Sequence, residues 1–264
     1  MEHRQAAVQW GRRVTALLLG LLLWLVASAP ASAQPSDAHL ARLQANYAID
    51  KPEGSGPFPA VVLVAGCQGF KHPLYRGRYE RATQELKALG FVVARADYQA
   101  AVEVSSCELV MDPVQAASDV LTTARHLQAQ PFVKPNAVNV IGWSFGGGLA
   151  LGMLEQLSPA GPQPVAAVVA YSPYLALRRT WTVEVPVLIL CTLEDTVAPC
   201  ERTDALLAEM PERKQVRHLK LAEGLHAFDN SDVRPGISPA GQAVGYHEAS
   251  AKAAWTELLG FLRR

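Results

Sequence analysis

The turn Gly142-Trp143-Ser144-Phe145-Gly146 constrains this chain more than any other feature. It follows the apolar residues 137–141 and opens into a helical pattern at Gly147. A strand, a Gly-x-Ser-x-Gly turn and a helix in this order hold the serine on a strained backbone with its hydroxyl exposed. Glycines on either side of the serine let the strand and the helix approach without Cβ clashes. We therefore predict that Ser144 is an exposed nucleophile at a strand-to-helix turn.

Short apolar runs alternate with helical patterns along the rest of the chain. This is typical of an α/β protein in which a mostly parallel central sheet carries helices on both faces. The runs are nearly continuous Val, Ile and Leu, as expected for strands buried on both faces. We predict strands at residues 46–49, 60–64, 91–94, 138–141, 165–170, 187–190 and 217–221. We predict helices at residues 76–88, 113–130, 147–157, 201–210 and 245–262.

The N-terminal 33 residues have the pattern of a secretory signal peptide. Arg12 and Arg13 precede the apolar residues 14–26, and Ala31-Ser32-Ala33 is a small-residue cleavage site. The run is short for a membrane span, so transient membrane contact during export is favoured over a retained anchor. The arginine pair also occurs in twin-arginine signals, but the residues that follow favour general secretion. We expect a periplasmic or secreted protein, with residues 34–44 as an N-terminal segment and residues 45–264 as one domain.

The charge balance excludes some classes of partner. The full chain has 24 basic and 24 acidic residues. The leader contains Arg4, Arg12, Arg13 and Glu2, which leaves a net charge of −2 for residues 34–264. A domain with this balance is not suited to nucleic acid or to an anionic membrane surface. The oligomeric state is left open by the sequence.

Four cysteines follow the leader, and an even count in an exported chain favours two disulfides. Cys191 and Cys200 flank one short loop and form the favoured local pair, which leaves Cys67 to pair with Cys107. Free buried thiols are the alternative. Neither pair has metal-ligand spacing, and no Cys-x-x-Cys or His-x-x-x-His pattern occurs, so we predict no metal site.

A catalytic serine needs a histidine to take its proton and a carboxylate to orient that histidine. In folds with this serine turn, the acid and then the histidine follow on loops after later strands. Asp195 lies just beyond the strand predicted at residues 187–190, in a turn that continues to Pro199. We predict Asp195 as the acid, with its neighbour Glu194 as the rival.

The predicted base is His226, which follows the last predicted strand, with Gly224 freeing its loop. The competitor is His247, at the start of the last helix, where a surface position suits it better. His218 lies within a strand pattern and is interpreted as a solvent-facing or satisfied sheet residue.

The oxyanion that forms during attack on an acyl group needs two backbone donors. One is predicted to be the N–H of Phe145, directly after the nucleophile. The other is predicted in the loop after the strand at residues 60–64, from Cys67 or, as second choice, Gln68. We also predict Gln68, Tyr98, Tyr174 and Trp181 as substrate-binding residues.

Several of these segments together resemble the dienelactone hydrolase family of the α/β-hydrolase superfamily. The matching parts are residues 59–64 with Gly66-Cys67-Gln68-Gly69, the serine turn, Asp195, and Gly224-x-His226-Ala227-Phe228. The resemblance spans residues 45–262. It implies a single-domain α/β-hydrolase fold without a large lid, acting on esters or lactones without a cofactor.

Two positions depart from the family pattern. Ser144 stands where the founding members carry cysteine, which favours ordinary ester chemistry over a dienelactone substrate. Ala65-Gly66 stands where many relatives carry His-Gly. The predicted oxyanion donor is a backbone N–H. The absence of a histidine side chain at position 65 therefore does not remove that donor.

The sequence therefore predicts an exported serine hydrolase of small carboxylic esters or lactones, working through an acyl-enzyme. A serine peptidase on the same fold is one alternative, and a peptide assay beside an ester panel separates the two. A non-catalytic binding protein is the other alternative, and only the Ala65 departure favours it.

Overall fold

The computed structural model describes residues 37–106, 111–177, 180–210, 215–238 and 241–263. The predicted signal peptide at residues 1–33 and Cys107 lie outside these ranges. None of the helices within them has the length and hydropathy of a membrane-spanning segment.

A seven-stranded sheet forms the centre of the described chain. Its strands are β1 (Tyr47–Asp50), β2 (Phe58–Val64), β3 (Val92–Ala96), β4 (Val133–Trp143), β5 (Ala167–Tyr171), β6 (Val187–Thr192) and β7 (Val216–Leu221). They lie in the order β1-β3-β2-β4-β5-β6-β7. Only β1 is antiparallel to its neighbour, and the other pairs are parallel. The predicted α/β architecture with a mostly parallel sheet is confirmed.

Five of the α-helices in the described residues overlap the helices that the sequence predicts. They are α1 (Asp37–Ala45), α2 (Arg76–Ala88), α3 (Tyr98–Ala101), α4 (Pro113–Gln128), α5 (Phe145–Gly152), α6 (Cys200–Ala208) and α7 (Glu248–Leu262). Helix α2 has the predicted bounds, and Gly90 just beyond it has φ +89°, the left-handed conformation that favours glycine. Asp112 caps α4, because its carboxylate accepts a 2.9 Å hydrogen bond from the N–H of Val114.

Apolar side chains are buried on both faces of the sheet, which explains the continuous apolar runs. On one face, Val62 and Val64 of β2 pack in a cluster with side chains of α4, α5 and α6. On the other face, Val61 and Leu63 pack in a cluster with side chains of α2 and α7. Because alternate residues of one strand serve opposite clusters, every position of β2 from Ala60 to Val64 is buried.

Besides the single-turn helix α3, two elements were not predicted. Helix α1 overlaps the predicted N-terminal segment at residues 34–44, and only His39 and Leu43 of it are buried, so its apolar periodicity is weak. Leu43 packs in the larger core cluster, and two polar contacts hold the helix beside it: His39 Nε2 lies 2.8 Å from Asp119 Oδ1, and Arg42 Nε donates to the carbonyl oxygen of Ala101. The second element is a small hairpin of β8 (Gly236–Ile237) and β9 (Ala243–Val244), too short for strand periodicity to appear.

Candidate active site

Ser144 lies where β4 ends and α5 begins, with φ +52° and ψ −119°. Such a left-handed backbone is strained for a residue with a Cβ atom. The glycines around it are required by close backbone approach. A Cβ atom on Gly142 would collide with the carbonyl of Gly146, and one on Gly146 would collide with the carbonyls of Val64 and Ala65. The turn therefore has the strained serine backbone that was predicted, and the two glycines permit the close approach of strand and helix that was predicted.

His226 brings the serine and the predicted acid together. Its Nε2 lies 2.9 Å from Ser144 Oγ, and its Nδ1 lies 2.8 Å from Asp195 Oδ2. A carboxylate only accepts hydrogen bonds, so Nδ1 carries the proton that is donated to Asp195. The unprotonated Nε2 then directs its lone pair toward the hydroxyl of Ser144. The His226 side chain is 11% exposed, and this burial shields these contacts from water. In this tautomer, His226 is oriented to accept the Ser144 proton.

Asp195 is held from several directions. Its Oδ1 accepts hydrogen bonds from the N–H groups of Val197 at 2.9 Å and Ala198 at 2.8 Å. Burial alone raises the pKa of Asp195, but the hydrogen bond and charge interaction with His226 and the Ala198 N–H outweigh it, so the pKa lies below its ordinary value. The carboxylate is therefore ionised although it is buried.

The rival acid Glu194 has a different contact. Its Oε2 accepts a 2.9 Å hydrogen bond from the N–H of Gly224, two residues before His226. The two neighbouring carboxylates thus have different partners. Asp195 contacts the imidazole of His226, and Glu194 binds the backbone of the loop that carries His226. His247, the alternative to His226 as the base, contacts Ser250 and Glu223 and does not contact Ser144.

A disulfide closes the loop that carries Asp195. Cys191, in β6, is bonded to Cys200, the first residue of α6, with 5.8 Å between their Cα atoms. This local pairing is confirmed, whereas the pairing of Cys67 with Cys107 stays a prediction because Cys107 lies outside the described residues. His218 lies beside the bridge, with Nε2 3.1 Å from Cys191 Sγ and Nδ1 3.2 Å from Asp204 Oδ1. Although Cys191, Cys200 and His218 are clustered, the disulfide leaves no thiolate to bind a metal ion.

The predicted oxyanion donors lie in the same cleft as Ser144. This cleft has a volume of about 670 Å³ and is lined by both Cys67 and Phe145. Phe145 begins α5, and the first N–H groups of a helix have no acceptor within it. Of the predicted substrate-binding residues, Gln68 and Tyr174 line the cleft.

The other two predicted substrate-binding residues do not line this cleft. The hydroxyl of Tyr98 is turned inward and donates a 2.8 Å hydrogen bond to the carbonyl of Ala65, and the side chain is 2% exposed. Trp181 is 6% exposed and packs in the larger core cluster. The structure places both rings in the core, because a large amphipathic ring suits the core as well as a binding site.

The sequence analysis missed a polar network in the wall of the cleft, which Arg78 and Tyr79 line. Arg78 of α2 donates from Nη1 to Asp229 Oδ1 at 2.9 Å and from Nη2 to the hydroxyl of Tyr79 at 3.3 Å. Asp229 Oδ2 accepts a 2.6 Å hydrogen bond from Trp143 Nε1. Burial by itself lowers the pKa of Arg78, but Asp229 and Tyr79 outweigh it and raise that pKa above its ordinary value. The only sequence signal for this network is the position of Asp229, three residues after His226.

A mostly parallel sheet, a strained serine at a strand-to-helix turn, and a histidine and an aspartate on later loops define the α/β-hydrolase class. The profile of the dienelactone hydrolase family matches residues 46–264. The chain belongs to the dienelactone hydrolase family, and it is an enzyme, a hydrolase of the dienelactone hydrolase type. Among curated proteins, none matches the sequence.

Solved structures agree with this assignment at the level of the fold. A putative dienelactone hydrolase from Klebsiella pneumoniae is 17% identical, with a TM-score of 0.61 over 83% of this chain and 99% of that one. A dienelactone hydrolase-like promiscuous phosphotriesterase from metagenomic libraries is 19% identical, with a TM-score of 0.64 over 83% of this chain and 98% of that one. Est1E from Butyrivibrio proteoclasticus, also solved with ferulic acid bound, is 14% identical in that complex, with a TM-score of 0.57 over 83% and 96% of the two chains.

Proposed function

We propose that this protein is an exported serine hydrolase that cleaves small carboxylic esters or lactones through an acyl-enzyme. The observation that carries the proposal is the chain of contacts from Ser144 Oγ through both nitrogens of His226 to Asp195, at 2.9 and 2.8 Å. Family membership supports hydrolysis as the reaction. The ferulic acid complex of the relative Est1E supports a carboxylic acid as the product class.

In the first half of the reaction, Ser144 Oγ attacks the carbonyl carbon while its proton passes to His226 Nε2. Asp195 holds the imidazole and stabilises the imidazolium that forms. The tetrahedral oxyanion accepts hydrogen bonds from the backbone N–H groups of Phe145 and Cys67. When the intermediate collapses, the bond to the leaving oxygen breaks, that oxygen takes the proton from His226, and the acyl group remains on Ser144.

In the second half, water replaces the alcohol. His226 takes a proton from the water as it attacks the acyl carbon, and a second oxyanion forms in the same place. Collapse breaks the bond to Ser144 Oγ, which recovers its proton from His226. The products are a carboxylic acid and an alcohol, or a single hydroxy acid when the substrate is a lactone.

The Cys191–Cys200 disulfide supports export, because disulfides persist in oxidising compartments. Together with the leader pattern, it favours a periplasmic or secreted protein that begins at Gln34 after cleavage. No cofactor enters the proposed reaction.

The test is the intact mass of protein exported through its own leader, before and after treatment with a fluorophosphonate probe. We expect one adduct on the wild-type protein, none on Ser144→Ala, and a mass that begins at Gln34 and lacks the hydrogens of its disulfides. A panel of esters, lactones and peptides then separates esterase from peptidase. Folded, oxidised wild-type protein without an adduct contradicts the proposal and favours a non-catalytic binding protein.

A further inference from the structure

The backbone of the loop that carries Cys67 is held by three buried side chains. Both polar groups of the peptide between Ala65 and Gly66 are bound: the hydroxyl of Tyr98 donates to the Ala65 carbonyl at 2.8 Å, and the Gly66 N–H donates to the hydroxyl of Tyr79 at 2.9 Å. The carbonyl of Cys67 accepts a 2.7 Å hydrogen bond from Gln99 Nε2. Peptide groups on both sides of the Cys67 N–H are therefore fixed by side chains.

These three side chains are well suited to hold a backbone still. Tyr79, Tyr98 and Gln99 are each 2% exposed, so water does not compete for their hydrogen bonds. Burial raises the pKa of Tyr98 well above its ordinary value, which keeps its hydroxyl protonated as a donor. The Tyr79 ring is packed edge-on against Phe70 and Trp143, with ring centroids 4.9 and 5.5 Å away. Rings packed in this way have little rotamer freedom.

Hydrogen bonds also connect Tyr79 to the two other segments of the candidate site, the loop that carries His226 and the turn that carries Ser144. Its hydroxyl accepts from Arg78, and Arg78 is paired with Asp229, three residues after His226. Asp229 in turn accepts from the indole of Trp143, the residue before Ser144. One buried network thus connects the histidine loop, the serine turn and the Cys67 loop.

We propose that Tyr79, supported by Tyr98 and anchored through Arg78, is a positioning residue that aims the backbone N–H of Cys67 at the oxyanion formed on attack by Ser144. The inference rests on the proposed function, because it assumes that this N–H is an oxyanion donor. Such donors act at about 2.7–3.1 Å from the oxyanion, and a displacement of about 1 Å costs about 10²-fold in rate. Tyr79 contacts the backbone of the donor loop, so it acts through that loop.

The test compares Tyr79→Phe with the wild-type protein in hydrolysis of p-nitrophenyl acetate and in inhibition by butylboronic acid, whose adduct with serine mimics the tetrahedral intermediate. Loss of the hydroxyl keeps the ring packing and releases the Gly66 N–H. We expect kcat to fall about tenfold with KM unchanged, because the contact is realised in the transition state. The inhibition constant of the boronic acid should rise by the same factor, which loss of stability alone would not cause.

Tyr171→Phe is the matched control, since this tyrosine is stacked on Trp143 and its buried hydroxyl has no hydrogen-bond partner in the described part of the chain. Its kcat and boronic acid inhibition should equal those of the wild type. Tyr98→Phe is the second variant and is expected to shift both quantities in the same direction, so the test survives if Tyr79→Phe does not fold.

The outcomes separate the two proposals. If the wild type turns over the ester, and folded Tyr79→Phe and Tyr98→Phe have unchanged kcat and an unchanged inhibition constant, the positioning role is overturned. The proposed function is then unaffected. Equal losses in Tyr171→Phe also overturn it, because any buried hydroxyl would then matter. Absence of both turnover and fluorophosphonate adduct in the wild type overturns the proposed function and this inference with it.

Discussion

Trp143 Nε1 donates a 2.6 Å hydrogen bond to Oδ2 of Asp229. This contact joins the residue before Ser144 to the third residue after His226. Oδ1 of the same carboxylate accepts from the buried guanidinium of Arg78. The serine turn and the histidine loop are therefore connected in the wall of the cleft as well as through the imidazole within it.

We expect Asp229→Asn to lower the free energy of unfolding by about 3 kcal/mol, because a buried arginine loses its charged partner. Urea denaturation at neutral pH measures the change. The control is Glu257→Gln, which breaks the partly exposed pair with Arg217 and should cost under about 1 kcal/mol. Similar losses in both variants would show that burial of the Arg78 pair has no special effect.

Asp195→Asn should lower kcat for ester hydrolysis by about 10⁴-fold, because an amide favours the wrong tautomer of His226. Steady-state kinetics with p-nitrophenyl acetate measures it. Glu194→Gln keeps an acceptor oxygen for the Gly224 N–H, so its loss should be far smaller. A larger loss in Glu194→Gln than in Asp195→Asn would reassign the catalytic acid.

The depressed pKa of Asp195 predicts a pH-dependent contribution to stability. A carboxyl with a lower pKa in the folded state contributes stability above its unfolded pKa of about 3.9, and this is lost as pH falls through the folded pKa. The difference in unfolding free energy between wild type and Asp195→Asn should therefore shrink on acidification below about pH 4. Urea titrations across this range measure it, and a pH-independent difference would contradict the prediction.

Removing the Cys191–Cys200 bridge, which joins residues nine positions apart, should cost about 2.5–3 kcal/mol on the chain-entropy model. The double variant Cys191→Ala/Cys200→Ala tests this by urea denaturation, and it should also lose kcat because the bridge closes the Asp195 loop. Adding reductant should destabilise the wild type by more than the variant, because the variant retains only the predicted bridge between Cys67 and Cys107. Equal stability of variant and oxidised wild type would rule out this contribution.

Gly142→Ala should lower the free energy of unfolding by about 3 kcal/mol or more, because the new methyl collides with the backbone of Gly146. Gly260→Ala is the matched control: it lies within helix α7, and apart from its chain neighbours and the surrounding helix backbone no atom lies within 4 Å of the place its new methyl would take, so it should stabilise by about 0.5–1 kcal/mol. Thermal and urea denaturation of both variants measure the contrast. If Gly142→Ala leaves the free energy of unfolding unchanged, the backbone of the turn can shift to accommodate the methyl group.

Much of the fold was predictable because its signals are local. Helix α2 has the predicted bounds, since its periodic pattern ends at a glycine with positive φ. The strands were predicted from apolar runs, although β4 extends beyond its run at both ends. Helix α1 was not predicted, because its docking depends on the distant residues Asp119 and Ala101.

The sequence by itself determined the fold class, the family resemblance and the order of Ser144, Asp195 and His226, because strand runs and the glycine turn are short-range patterns. Only the tertiary structure shows that Asp195 contacts His226 while Glu194 contacts the N–H of Gly224, since adjacent carboxylates differ in the direction that the loop gives them. It also shows that Tyr98 packs beneath the loop that carries Cys67 and that Arg78 is buried. Arg78 meets Asp229 across 151 positions of sequence, and no local pattern encodes a contact at that separation.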